Sequence, residues 1–101
     1  MDFTPAPVLP GYGLAPPAQD DALLHLARVM GVDRGVALWR DVCRRARVPF
    51  DADRPLSPAE MERAGEELSR VAGPAGVVGR GLVVRARTYL LLLQRQTETQ
   101  H

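Results

Sequence analysis

Apolar residues in this chain recur every three to four positions in four runs, and the runs are separated by Gly31, by the segment from Pro49 to Pro55, and by Gly73-Pro74. That period belongs to helices with one buried stripe, and the separators are residues that stop or restart a helix. The pattern predicts an all-α fold, a compact bundle of about four helices. With 101 residues, 46% of them hydrophobic, the chain can bury one modest core without metals or disulfides.

The first helix is expected to start between Pro16 and Asp20 and to run to Met30, with Leu23, Leu26, Ala27 and Met30 on its buried stripe and Gly31 as its left-handed stop. A second helix follows, with Asp33 as its expected N-cap and Val36, Trp39, Cys43 and Ala46 on one face until Pro49 halts it. Trp39 is its expected core anchor. The connector from Val48 to Pro55 is rich in proline and aspartate, so it reads as a turn-rich link with Phe50 tucked inward. Ser57-Pro58-Ala59-Glu60 then forms a capping box with proline at the first helical position, and Leu56 and Met61 stand where a hydrophobic staple needs them. Met61, Ala64, Leu68 and Val71 make the third stripe, which Gly73-Pro74 closes. The fourth helix is expected from about Pro74 to Gln96, with Val78, Leu82, Ala86, Tyr89 and Leu93 turned to the core.

In domain terms, residues 1–15 read as a flexible tail dense in Pro and Gly, 16–96 as a single helical domain and 97–101 as a frayed end. Within the domain the chain resembles itself. At an offset of 42, segment 14–47 matches 56–89 without a gap, with ten identities in 34 positions. Roughly three would arise by chance in so biased a composition. The pairs include Leu14/Leu56, Pro16/Pro58, Ala22/Ala64, Leu26/Leu68, Arg28/Arg70, Gly31/Gly73, Val36/Val78 and Val42/Val84. This points to two related helical hairpins, an internal pseudo-repeat, rather than a solenoid, which needs three units or more.

Thirteen basic and twelve acidic residues nearly cancel, so no overall field draws the protein to nucleic acid or to an anionic membrane. Charge-driven binding must be local. The run Leu90 to Leu93 is too short to span a bilayer. A single cysteine, Cys43, excludes an internal disulfide, and no N-terminal stretch joins a basic start to an apolar run; both fit a cytoplasmic protein. Catalytic signals are weak. His25 and Cys43 lie on different expected helices with no third group to orient them, and Asp51, Asp53 and Glu60 lack the glycine turn and ligand ladder of a calcium loop. Phosphate loops, dinucleotide fingerprints and zinc spacings are missing from the sequence. The expectation is a protein that is not an enzyme, with no catalytic residues, cofactor or metal.

The fourth helix carries the strongest functional signal. At 100° per residue, Val77, Val84 and Leu91 form a second apolar seam, seven residues apart and opposite the core stripe, flanked by Arg80, Arg87 and Gln94. A helix apolar on two sides is either surrounded by its own chain or buries one side against a partner. Gly76, Gly79 and Gly81 would let another backbone approach. The leading expectation is therefore a small protein-interaction module, an adaptor or regulatory subunit, self-association as a homodimer included. Val77, Arg80, Val84, Arg87 and Leu91 form its candidate interface.

The second helix supplies the alternative, since Arg40, Arg44 and Arg47 share a face at i, i+4 and i+7 and are suited to phosphates or an acidic partner. The plainer expectation is that these arginines pair with Asp41 and with the acidic helix carrying Glu60, Glu62, Glu66 and Glu67. The stretch Leu26 to Val32 resembles the end of the first helix and the glycine turn of helix-turn-helix DNA readers, over about twenty residues. That resemblance implies a small nucleic-acid-binding regulator. Ala37, Arg40 and Trp39 depart from the motif's pattern of apolar and base-reading positions.

Overall fold

The computed structural model describes residues 17–50 and 54–99. The tail expected over residues 1–15, Asp51, Asp53 and the first members of the Leu14/Leu56 and Pro16/Pro58 pairs lie outside them. Among the described residues, four helices make up the fold: α1 (Gln19–Met30), α2 (Val32–Arg45), α3 (Pro58–Ser69) and α4 (Pro74–Thr99). α1 packs chiefly on α2 and α3 chiefly on α4, while α2 also meets α3 and α1 also meets α4. The result is an all-helical bundle of two hairpins.

Each hairpin bends at a glycine with positive φ, 89° at Gly31 and 81° at Gly73. An L side chain resists that region, so these positions let the chain reverse, through Gly31 alone in the first hairpin and over residues 70–73 in the second. The turn at Gly31 is so abrupt that α2 begins at Val32. Gly31 is its N-cap, and Asp33 lies inside the first turn instead of capping it. There its carboxylate faces the positive end of the helix dipole. The two hairpins bury equivalent residues near the turns, since Ala22 and Ala64, and Leu26 and Leu68, are all fully buried. Further on they diverge: Val42 is buried, whereas its counterpart Val84 is 63% exposed.

α3 starts as its sequence dictates. The Ser57 hydroxyl accepts from the Glu60 N–H at 3.1 Å, and the Glu60 carboxylate accepts from the Ser57 N–H at 2.9 Å. Leu56 and Met61 are buried on either side of the cap. At its other end the helix stops at Ser69, so Val71 packs on the core from the turn. α4 continues to Thr99, three residues beyond the expected end at Gln96.

The center of the bundle is filled by Trp39, Tyr89, Leu26, Met61, Leu68 and Leu82, all fully buried. Trp39 anchors α2 as expected, and Val42 adds to its buried face while Val36 and Ala46 are half-buried. α3 and α4 come unusually close at Gly79. A Cβ there would stand 2.4 Å from the Ser69 nitrogen and 2.8 Å from the Gly65 oxygen, so only glycine permits this approach. No helix among the described residues is long and apolar enough to cross a membrane.

Candidate interaction face on the last helix

Because α4 lies against both α3 and α1, its core stripe is spoken for. Leu82, Ala86 and Tyr89 are buried, and Val78 packs against the core from a half-buried position. The second seam faces outward. Val77, Val84 and Leu91 are 59%, 63% and 53% exposed, so the bundle does not wrap around α4 on that side. Among the described residues, half of the large exposed apolar side chains lie on this one helix face; the others, Leu24, Val29 and Val32, are spread over α1 and the start of α2.

The three glycines expected to admit a partner turn out to differ. A Cβ on Gly76 would stand 2.2 Å from the Val71 oxygen, and one on Gly79 would strike α3. Both serve packing within the chain. Gly81 alone has nothing within 4 Å of a Cβ, and it lies on the exposed face between Val77 and Val84.

The arginines beside the seam also part company. Arg87 reaches across to α3, where its Nε donates to Glu62 at 3.1 Å and an Nη donates to Glu66 at 2.6 Å. These two hydrogen bonds, Glu62's first, hold the guanidinium above its ordinary pKa. Arg80 is exposed and has no ion-pair partner among the described residues. Between α3 and α4 a groove of about 400 Å³ opens beside the seam, lined by Glu66, Arg70, Arg80, Val83, Val84 and Arg87. Arg80 therefore sits on the α3 side of the seam.

The arginine face of α2 does not persist as a helical stripe. α2 ends at Arg45, and Arg47 lies beyond it with φ 58°, so it no longer continues the i, i+4, i+7 row. Arg47 occupies the left-handed position of a Schellman cap: its N–H bonds to the Arg44 oxygen at 3.1 Å and the Val48 N–H to the Cys43 oxygen at 2.8 Å. Arg44 and Arg45 both pair with Asp41, and the Arg40 guanidinium lies 5.2 Å from the center of the Phe50 ring. The expected pairing with Asp41 is thus present. The acidic face of α3 pairs elsewhere, with Arg87 from α4, Arg54 from the connector and Arg70 from its own C-terminus. Adjacency decides this, because α3 packs mainly on α4.

Cys43 is fully buried, and burial first, then the nearby charge of Glu60, raises its thiol pKa to about 11. The α2 arginines do not activate it. No cluster of three or more His, Cys, Asp or Glu able to hold a metal ion occurs among the described residues. One buried polar contact was not legible from periodicity: Gln19 is sealed in the core, where it accepts from the Trp39 indole.

No family model matches the chain, and no curated protein or solved structure is similar to it. The α4 face has to be read from its own chemistry.

Proposed function

We propose that this chain is a small helical protein-interaction module, an adaptor or regulatory subunit, that binds through the Val77, Val84 and Leu91 face of α4. One observation carries this reading: three large apolar side chains at heptad spacing stay more than half exposed on a helix whose opposite face is already buried. Water-exposed apolar rows of this kind are stabilised by covering them, and a partner helix is the occupant that heptad spacing fits. Arg80 and Arg87 supply a polar rim. The function is binding rather than catalysis, in keeping with a cysteine whose thiol is buried and held protonated. A cytoplasmic setting accords with that single unpaired thiol.

The nucleic-acid alternative through Arg40, Arg44 and Arg47 has less in its favour. Asp41 offsets two charges at that end of α2, and Arg47 leaves the row.

A photo-cross-linking residue placed at Val84 in the living cell tests the proposal, with the same residue at exposed Arg63 on α3 as control. A discrete protein adduct is expected from position 84, absent from position 63 and lost when Val77 and Leu91 are both changed to Glu. Equal labelling from the two positions, or no adduct from position 84, would overturn the reading.

A further inference from the structure

We infer that the occupant of the α4 face is a second copy of this chain, packed antiparallel about a twofold axis at Val84; this rests on the reading of α4 as an interface. The spacing is self-complementary. Val77 and Leu91 are equidistant from Val84, so an antiparallel copy sets Val84 on Val84 and Val77 on Leu91 of the other chain. On the flank of the seam away from α3, Gly81 has nothing within 4 Å of a Cβ inside its own chain, and in the pair its bare backbone leaves room there for Thr88 of the other copy.

Charge fixes the direction. The group formed by Glu62, Arg87 and Glu66 holds two carboxylates and one guanidinium, leaving a surplus negative charge. In the antiparallel pair, the twofold axis keeps α3 of both copies on the same side, and Arg80 also lies on that side. Arg80 falls level with Thr88, on the flank of Arg87, and so arrives at the other copy's surplus carboxylate. It has no ion-pair partner of its own among the described residues. A parallel pair, related by an axis along the helices, would instead set α3 and Arg80 of the two copies on opposite sides of the seam, away from that carboxylate. With a formal net charge of +1, two whole chains meet with little overall repulsion. The seam from Val77 to Leu91 rises about 21 Å at ~1.5 Å per residue, which is short for an interface and implies a weak, reversible dimer.

Single cysteines at positions 77, 84 and 91 of the full chain, treated with a short bis-maleimide, test the arrangement. Native Cys43 is buried and stays silent. Val84→Cys is expected to link to itself. Val77→Cys and Leu91→Cys should not self-link, but an equimolar mixture of the two should. Arg80→Glu should raise the dimer Kd by about tenfold at low salt, and by less at high salt. Self-linking of Val77→Cys and Leu91→Cys would mean a parallel pair and overturn the arrangement, as would an unchanged Kd for Arg80→Glu. No link from any variant would rule out a second copy. An adduct to a different protein from position 84 in cells would then still uphold the interaction function.

Discussion

The indole Nε1 of Trp39 donates to the Gln19 Oε1 at 2.9 Å, and both side chains are out of solvent. This bond ties the first turn of α1 to the middle of α2. It also lets the only tryptophan of the chain be fully buried without an orphaned donor. Replacing Gln19 by Leu leaves the indole N–H unpaired and should lower stability by about 1–3 kcal/mol, because the donor then bears its whole desolvation penalty. In a Trp39→Phe background the same replacement should cost much less. Urea unfolding followed by circular dichroism measures both, and equal losses in the two backgrounds would show that the bond contributes nothing.

Gly79 and Gly81 are two residues apart on α4 and should respond oppositely to alanine. At Gly79 the added methyl strikes the α3 backbone, so α4 must shift, at about 1–3 kcal/mol. At Gly81 it meets nothing, and the helix should gain about 1 kcal/mol. Thermal unfolding of dilute protein should show the midpoint falling for Gly79→Ala and rising for Gly81→Ala.

Arg47 holds a left-handed conformation that glycine adopts without strain. Arg47→Gly should therefore stabilise the protein by up to about 1 kcal/mol, with the gain reduced by the greater freedom of the unfolded chain. A lower melting temperature for this variant would mean that the Arg47 side chain makes a stabilising contact that outweighs its backbone strain.

Burial of Cys43 has a pH signature. Below its ordinary pKa of 9.0 the thiol is neutral whether folded or unfolded and adds no pH dependence. Between 9.0 and about 11 the unfolded chain ionises first, so stability falls as pH rises, and the decline ends once the folded thiol also ionises. Urea titrations at several pH values across that window should give a steeper loss for the native chain than for Cys43→Ala. Parallel slopes would contradict the assigned burial.

Signals confined to neighbouring residues were readable directly. The capping box of Ser57 and Glu60, the Gly31 and Gly73 turns, and the buried faces led by Leu26, Trp39, Met61 and Leu82 all follow from local chemistry or helical period. What sequence left open depends on which helix lies beside which. The Glu62 and Glu66 carboxylates were legible as an acidic face, but only the packing of α3 on α4 assigns them to Arg87. Gln19 looks like a surface residue by type, and its bond to Trp39 joins positions 20 residues apart that no period connects. Asp33 has the chemistry of a cap, yet Gly31 turns so sharply that the helix has already begun. The Val77, Val84 and Leu91 seam was visible as a heptad row; the fold adds that the row points away from the core.

Sedimentation equilibrium on the native chain and on Val84→Glu tests the central claim most directly, over loadings from about 1 µM to about 1 mM. The apparent mass of the native chain should climb with concentration from 11.0 kDa toward twice that value. Val84→Glu, which sets two carboxylates against each other on the axis, should stay at the mass of one chain. A native chain that remains at 11.0 kDa throughout, or a Val84→Glu variant that associates as well as the native one, would contradict the assignment of this face to a second copy.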